Sequence, residues 1–299
     1  MRGMDKSFVH KQNQENVFIQ DLFRQSEHTF TAVSTVPADH PVYDISTSTY
    51  LVEVGRQANM AICHRFYDVP FDTRFIVVSI QWEFSDYQPL PPPAARPLKV
   101  DITFAGRKVF MGRTWFRTES VFSRDGQVLM KGKARFYLAD ENEEPGRDTV
   151  CDAPLERLDY YHHADFLQVH NPDNVLITPP EHVSRNGQCC SHMSVDPHHF
   201  YFFEHPCTHV PGMMLLEAGK QLALCAAKQQ YEQLAASCGE LVAGKVKFRR
   251  FALLNRKIRL TAGMEPVETI PGRRLVSVVI GFHQAEEQLG KIECRASFV

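Results

Sequence analysis

Two segments of this chain repeat one pattern of apolar and polar residues. Residues 50–57 read YLVEVGRQ and residues 214–221 read MLLEAGKQ, so both contain glutamate, glycine, a basic residue and glutamine at the same spacing. A second echo pairs residues 15–19 (ENVFI) with residues 173–177 (DNVLI). Self-similarity of this kind is typical of chains built from repeated structural units. The sequence therefore predicts an internal duplication.

The repeats also set the expected domain boundary. A Val-His pair precedes both copies of the second echo, at Val9-His10 and Val169-His170. Between the copies, residues 139–152 read ADENEEPGRDTVCD, which is acidic, contains proline and glycine, and has no hydrophobic period. Such composition is typical of a linker between domains. We expect an N-terminal repeat over residues 1–145 and a C-terminal repeat over residues 146–299.

Each copy combines one apolar helix with several strands. The second helix, from residue 212 to about 231, is apolar nearly all round and so must be buried. The segments that follow each helix are rich in β-branched and aromatic residues, as strands are. These segments are 74–84, 98–104, 109–122 and 128–138 in the first copy, and 240–251, 257–261, 273–282 and 290–298 in the second. Turns are expected at Ala105-Gly106 and Asp125-Gly126.

A long apolar helix wrapped by an antiparallel sheet is the arrangement of a hotdog fold. Two such units in one chain would pair their sheets as a pseudo-dimer. The predicted fold class is therefore α+β, a tandem double hotdog. Two unrelated α+β sandwiches with coincidental similarity are the alternative.

Composition argues against several kinds of partner. The chain has 33 basic and 35 acidic side chains and a net charge of -2, so it shows no electrostatic footprint for nucleic acid or an anionic membrane. It contains neither a long apolar run nor the apolar stretch of a secretory signal, which predicts a cytoplasmic protein. The eight cysteines follow no CxxC spacing, so we expect reduced thiols, not disulfides or a zinc site. We expect no metal and no organic cofactor.

Three polar side chains interrupt the second helix. Glu217, Lys220 and Gln221 are three and four positions apart, so they share one side of the helix and the carboxylate and ammonium can meet. An unpaired buried charge costs several kcal/mol. These groups must therefore pair with each other, with the other copy or with a ligand. A buried ion pair that fixes helix packing and a functional cleft both satisfy this requirement.

The first helix repeats the same polar set with Glu53, Arg56 and Gln57. Two carboxylates and two cations would then lie on two helices that a pseudo-dimer brings together. Such a cluster can perform acid/base chemistry and can hold an anionic group. The repetition therefore favours a functional cleft over a simple structural ion pair.

The residues before the second helix, HPCTHVPG at 205–212, provide a further indication. Gly212 lets a substrate approach the N–H groups at the positive end of the helix, where a thioester carbonyl can be polarised. His205 and His209 are candidate substrate-binding residues, with ordinary loop or core positions as the alternative. The first copy has Thr47-Ser48 where the second has Pro211-Gly212, which predicts unequal activity of the two halves.

The run HPCTHVPGMMLLEA at 205–218, followed by Lys220-Gln221, resembles the A-factor biosynthesis (AfsA-like) hotdog family, which makes the precursor of γ-butyrolactone signals. The resemblance implies a double hotdog that transfers a β-ketoacyl group from an acyl carrier protein thioester to the hydroxyl of dihydroxyacetone phosphate or a similar small phosphate. The ester would then cyclise to a butenolide phosphate. The resemblance also implies Glu53, Glu217 and Lys220 as the functional residues, with lysine where the family usually has arginine.

The resulting site hypothesis assigns catalysis to Glu53, Glu217 and Lys220. The expected substrate-binding residues are Arg56, Gln57, His205, His209, Gly212 and Gln221. The basic run KVKFRR, residues 245–250, is either a docking patch for an acidic carrier protein or a solvated strand face. A thioesterase or hydratase that uses water and a non-catalytic binder of acyl or lactone signals are the alternative functions. The sequence leaves open whether the chain forms a homodimer.

Overall fold

The fold is described from a computed structural model of the chain. It describes residues 3–37, 40–85, 96–140, 169–183, 188–204, 207–254 and 256–299. His205, the expected domain boundary at 145/146 and most of the predicted linker lie outside these residues.

Two long helices are buried in the molecule. Helix α1 is Thr47–Phe66 and helix α2 is Gly212–Gln230, so the predicted end of the second helix is confirmed to within one residue. Ser46 caps α1 through its side chain, which accepts a hydrogen bond from the Thr49 N–H at 3.2 Å. Pro211 precedes α2 and provides no side-chain cap. Among the described residues, no helix is long and apolar enough to cross a lipid bilayer.

Strands surround both helices. In the first half they are β1 Ile19–Arg24, β2 Thr29–Ser34, β3 Arg74–Phe84, β4 Leu98–Phe110, β5 Arg113–Arg124 and β6 Gln127–Ala139. In the second half they are β7 Glu181–Val183, β8 Gln188–His192, β9 Gly239–Phe248, β10 Arg259–Met264, β11 Glu268–Ile270, β12 Arg273–Gln284 and β13 Glu287–Phe298. The strands pair antiparallel throughout the described residues, which confirms the α+β class.

The strand order of the sheet reverses at its centre. Along the described sheet the order is β1-β2-β4-β5-β6-β3-β9-β13-β12-β10-β8-β7, with β11 attached to β12. Strands β3 and β9 join the two halves, and Trp82 of β3 lies opposite Gly244 of β9. Each half therefore presents its first long strand after the helix to the other half.

Hydrogen bonds around the two helices match in pairs. On α1, the Gln57 side chain accepts from the Phe18 N–H at 2.8 Å and donates to the Asn16 carbonyl at 2.9 Å. On α2, the Gln221 side chain accepts from the Leu176 N–H at 2.9 Å and donates to the Asn174 carbonyl at 2.8 Å. The two glutamines therefore tie each helix to its N-terminal segment in the same way.

A carboxylate that precedes each helix accepts hydrogen bonds from backbone N–H groups in the other half of the chain. Glu204 accepts from the N–H groups of Gln12 and Asn13 at 3.0 and 3.1 Å. Asp44 accepts from the N–H groups of His170 and Asn171 at 2.6 and 2.9 Å. His170 therefore corresponds to Gln12 and not, as expected, to His10, a shift of two residues.

Two local predictions fail. Ala105-Gly106 is not a turn, because it lies inside β4 at an irregularity in the pairing with β5. The chain reverses instead at Met111 and Gly112, both of which have positive φ. The sequence analysis placed strands only after each helix, but residues before α1 form the β1–β2 hairpin. The turn at Asp125-Gly126 is confirmed, with both residues at positive φ.

Candidate active site

A cavity of about 390 Å³ lies at the N-terminus of α2. Residues of α1 and β3 form part of its wall, so both halves of the chain contribute. The polar part of its lining includes His10, Lys11, Glu53, Arg56, Tyr201, Glu204 and His209. The apolar part includes Phe75, Ile76, Val77, Ile80, Phe202, Met213, Leu215 and Phe248. The cavity can therefore hold a molecule with one charged end and one apolar end.

The centre of the polar part is an ion pair on α1. Arg56 donates two hydrogen bonds to Glu53, from Nε at 2.6 Å and from Nη2 at 2.8 Å, as the spacing of three predicts. Gln57 donates a third at 3.0 Å. Burial acts to raise the pKa of Glu53, but the charges of Arg56 and Lys11 and these hydrogen bonds outweigh burial and lower the pKa to about 2. Glu53 is therefore an anion across the physiological pH range.

This lowered pKa predicts acid sensitivity. A carboxyl whose pKa falls from 4.5 to about 2 on folding stabilises the protein above pH 4.5, and this stabilisation is lost as pH falls toward 2. We expect Glu53 to contribute about 3 kcal/mol of unfolding free energy that disappears over this range. The free energy of unfolding is measured by urea unfolding between about pH 6 and about pH 2.5. Its loss over this range should be smaller in the double variant Glu53→Gln/Arg56→Gln than in the wild-type protein. Equal losses in both proteins would contradict this assignment.

A second cation, Lys11, lies beside this pair. Its Nζ is 3.4 Å from Glu53 Oε1 and 3.8 Å from Glu204 Oε1, and its side chain is 4% exposed. Burial lowers the pKa of Lys11, and the nearby Arg56 charge adds to this effect, while Glu53 and Glu204 oppose it. Its ammonium also lies 5.0 Å from the centre of the Tyr201 ring. The polar end of the cavity thus contains two cations and two carboxylates.

Tyr201 is a buried aromatic residue in the cavity wall. Its side chain is 2% exposed, and its hydroxyl has no hydrogen-bond partner among the described residues. Burial raises its pKa well above the usual value, and the charge of Glu53 adds to this rise. The hydroxyl therefore stays protonated and can act as a hydrogen-bond donor.

The start of α2 opens onto the same cavity. Pro211, Gly212 and Met213 line it, and no side chain caps the first turn. The first N–H groups of any α-helix have no partner within the helix, and they carry the positive end of its dipole. This end of α2 can therefore stabilise an oxygen on which negative charge develops.

The start of α1 has a different environment. Glu217 of α2 accepts hydrogen bonds from the hydroxyls of Ser46 and Thr49, each at 2.7 Å. Glu240 accepts from the Thr47 N–H and the Ser48 hydroxyl, both at 3.0 Å. Side chains of the protein therefore occupy the positions at α1 that correspond to the cavity at α2.

The expected contact between Glu217 and Lys220 does not form. Lys220 Nζ instead lies 3.8 Å from Glu240 Oε1, because Glu217 turns toward the hydroxyls at the start of α1. Neither Glu217 nor Lys220 contributes to the wall of the 390 Å³ cavity. The expected cluster of two carboxylates and two cations is thus divided: Glu53 and Arg56 line the cavity, whereas Glu217 and Lys220 contact other groups.

The other expected site residues have distinct positions. Gly212 and His209 line the cavity, and the His209 ring packs edge-on against Phe251 with centroids 4.8 Å apart. Gln57 and Gln221 are buried and orient the glutamates of their helices, at 3.0 and 3.4 Å. Within the described residues, no three His, Cys, Asp or Glu side chains converge as a metal site would require.

Sequence reasoning missed Lys11, Tyr201 and Glu204. All three lie in irregular segments, where no helical or strand period marks a side chain as buried. Their contacts also join distant parts of the chain, since Glu204 binds the Gln12 N–H from 192 positions away. The Glu15–Asn16 echo marked the segment near Lys11 but gave no indication of its burial.

Comparison with known families identifies the family of this chain. The model of the A-factor biosynthesis hotdog domain matches residues 1–139 and 165–299, which together make up most of the chain. The chain belongs to this family. The family match confirms the hotdog fold and the resemblance on which the sequence prediction rested.

Curated relatives of this family member carry one enzymatic name. A 2-oxo-3-(phosphooxy)propyl 3-oxoalkanoate synthase from Streptomyces griseus is 26% identical over 227 residues, which cover 72% of each chain. A synthase of the same name from Streptomyces virginiae is 24% identical over 234 residues, or 73% of this chain and 75% of the relative.

Solved structures agree on the fold. The 12:0-ACP thioesterase from Umbellularia californica superposes with a TM-score of 0.54 at 9% identity, covering 93% of this chain and all 100% of the other. A hot dog fold protein of unknown function from Alicyclobacillus acidocaldarius gives a TM-score of 0.52 at 11% identity, with coverage of 96% and 98%. At such low identity, this similarity concerns the fold alone.

Proposed function

We propose that this protein transfers a 3-oxoacyl group from an acyl carrier protein thioester to the hydroxyl of dihydroxyacetone phosphate. The observation that carries the proposal is the cavity in which the Glu53–Arg56 pair meets the uncapped start of α2. The name shared by the curated relatives describes an ester of a 3-oxo acid with a three-carbon keto phosphate. The charged and apolar parts of the cavity suit the two halves of that ester.

We further propose that the chain is a tandem double hotdog with repeats at 1–145 and 146–299. The reversed strand order and the matched hydrogen bonds of Gln57 and Gln221 support this organisation. Among the described residues, the start of α2 opens onto the cavity that contains Glu53. At the start of α1, the side chains of Glu217 and Glu240 accept hydrogen bonds from the first residues of the helix and its cap. One active site per chain, at the start of α2, follows from this difference. Glu217 and Lys220 then have structural roles.

The acyl group is the apolar part of the reaction. We place its thioester carbonyl at Gly212, where backbone N–H groups of the first turn stabilise the developing oxyanion. The acyl chain lies against Phe75 and Val77 of β3. A smaller cavity of about 50 Å³ shares Phe75, Val77 and Ile80 with the first and continues along α1 to Asn59. A longer acyl chain can extend into this space.

The acceptor occupies the polar end. Glu53 takes the proton from its hydroxyl while the hydroxyl oxygen bonds to the thioester carbon. The carbon–sulfur bond then breaks, and the thiolate takes up the proton to leave as a free thiol. Glu53 returns to its ionised form, and the ester carries both the acyl group and the phosphate. Arg56 is in position to bind the phosphate, since an arginine can hydrogen-bond to its oxygens.

Ligand binding changes the basicity of Glu53. A carboxylate with a pKa of about 2 is a weak base, because Arg56 and Lys11 stabilise its charge. A phosphate that attracts these cations shares their charge and their hydrogen bonds. The pKa of Glu53 then rises, so its capacity as a base increases once the acceptor is bound.

The donor is proposed to reach the cavity from a carrier protein. Arg249 and Arg250 lie at the cavity wall, and Arg250 is mostly exposed, at 3.5 Å from the exposed Glu287. Lys247 is exposed on β9, two residues before Arg249. These basic side chains complement an acidic carrier protein, which supports the docking interpretation of the KVKFRR run.

Release of carrier thiol tests the proposed reaction. A 3-oxoacyl carrier protein is incubated with the protein, with and without dihydroxyacetone phosphate, and free thiol is measured. We expect thiol release that depends on the acceptor. Release at the same rate without acceptor would indicate a thioesterase, and binding without release would indicate an acyl-binding protein. Either result would contradict the proposal.

A further inference from the structure

We infer, on the basis of the transfer reaction proposed above, that the ammonium of Lys11 binds the acceptor phosphate together with Arg56 and so selects a phosphorylated acceptor. Lys11 lies before β1, outside both helix motifs. Its role would be to determine specificity, not to take part in the proton transfer.

The hydrogen-bonding capacity of Lys11 is poorly satisfied. An ammonium has three N–H donors, and charged N–H···O contacts normally measure about 2.7–2.9 Å. The nearest carboxylate oxygens described for Lys11 are at 3.4 and 3.8 Å, although its side chain is only 4% exposed. A buried ammonium with such long contacts can bind a further anion at closer range.

The two neighbouring carboxylates have shorter bonds to other groups. Glu53 receives both hydrogen bonds of the Arg56 fork, at 2.6 and 2.8 Å. Glu204 caps the backbone of Gln12 and Asn13 and also accepts from the Asn16 amide. Both carboxylates therefore have closer partners than Lys11, and Lys11 can turn toward a ligand without leaving either one unsatisfied.

Arg56 can also donate hydrogen bonds to a further anion in the cavity. Its Nη1 contacts the sulfur of Met60 at 2.8 Å, and a thioether is a weak acceptor. The side chain is 26% exposed, and both Arg56 and Lys11 line the cavity. Two cations with weakly used donors can together bind the dianion of a phosphate ester.

The contact between Lys11 and the acceptor phosphate is tested by comparing two acceptors with the same acyl donor. Thiol release from the 3-oxoacyl carrier protein is measured with dihydroxyacetone phosphate and with dihydroxyacetone, and the ratio of the two kcat/KM values is the readout. Lys11→Met should lower this ratio roughly 10- to 100-fold, because one charged contact to the phosphate is lost while the hydroxyl chemistry remains. Inorganic phosphate should raise the Tm of the wild-type protein and should raise that of the variant less.

Lys228→Met is the matched control. Lys228 is also a buried lysine, 5% exposed with a pKa lowered by burial, but it lies on α2 and outside the cavity wall. Its replacement should leave the acceptor ratio and the phosphate effect unchanged. If Lys11→Met does not fold, Lys11→Met/Glu204→Gln removes the carboxylate charge as well and is measured in its place.

The outcomes separate this inference from the reaction itself. An unchanged ratio in a folded Lys11 variant would overturn the role of Lys11 while leaving acyl transfer intact. Equal loss with both acceptors would also overturn it, because Lys11 would then act on the donor, for example on the phosphate of its pantetheine arm. If the wild-type protein transfers no acyl group, the proposed reaction fails, and the phosphate titration alone decides whether Lys11 binds the anion.

Discussion

Replacement of Glu53 by glutamine should lower kcat/KM for acyl transfer by roughly 10²- to 10⁴-fold, the usual contribution of a general base. Glutamine keeps the size of the side chain but cannot accept the hydroxyl proton. It also leaves the charges of Arg56 and Lys11 without their main counter-ion. Loss of one partner from a buried pair costs about 3–5 kcal/mol, so the single variant is expected to be less stable.

A second variant separates catalysis from stability. Glu53→Gln/Arg56→Gln removes both members of the pair and should recover much of the lost unfolding free energy. It should remain inactive, because the base and a phosphate ligand are both absent. Recovered stability together with recovered activity would contradict the role of Glu53.

Glu217→Gln is the matched substitution on the other helix. Glu217 occupies the same place in the repeated motif, but its partners are the hydroxyls of Ser46 and Thr49. We expect this variant to retain acyl transfer to within about tenfold and to lose about 1–3 kcal/mol of stability. A Glu217 variant that folds but is inactive, beside an active Glu53 variant, would place the reaction at the start of α1.

Gly244→Ala should destabilise the protein by about 1–3 kcal/mol or more, a typical cost of overpacking. A Cβ added at Gly244 would lie 2.4 Å from two atoms of the Trp82 ring, closer than real Cβ atoms approach. Trp82 is 1% exposed, and its Nε1 donates to the Leu241 carbonyl at 3.3 Å. The ring therefore has little room to move. Urea unfolding measures the effect.

The expected destabilisation reflects the junction between the two halves of the sheet. Gly263→Ala is the control, since a Cβ at Gly263 in β10 meets no atom within 4 Å, and its stability should be unchanged or slightly higher. Adding Trp82→Phe to Gly244→Ala should relieve part of the clash. Equal stability of the two alanine variants would show that β3 and β9 do not pack as described.

The helices and most long strands were predictable because their signals are local. The repeated motif identified both helices, and residues 74–84 match β3 without error. Strands β7 and β8 were missed because they are short, and the sequence of β8, QCCSH, lacks a run of β-branched residues. Ala105-Gly106 was misread because glycine in a strand can mark an irregular pairing as well as a turn.

The ion pair of Glu53 and Arg56 was also predictable, because its spacing on one helix brings the two groups together. The sequence did not predict which of the two helices has its glutamate at the cavity. That difference depends on what lies at the start of the opposite helix: Ser46 and Thr49 meet Glu217, whereas Pro211 and Gly212 leave space beside Glu53. Such contacts between distant segments have no periodic signature in the sequence.

The mass of the product is the most direct test of acyl transfer at this site. The wild-type protein is incubated with 3-oxoacyl carrier protein and dihydroxyacetone phosphate, and the small-molecule products are analysed by mass spectrometry beside a reaction with Glu53→Gln/Arg56→Gln. We predict a product that contains both the acyl chain and the phosphate, as the ester or as the butenolide phosphate formed by loss of water, and none with the variant. Free 3-oxo acid as the enzymatic product, with the phosphate compound unchanged, would contradict the proposed transfer.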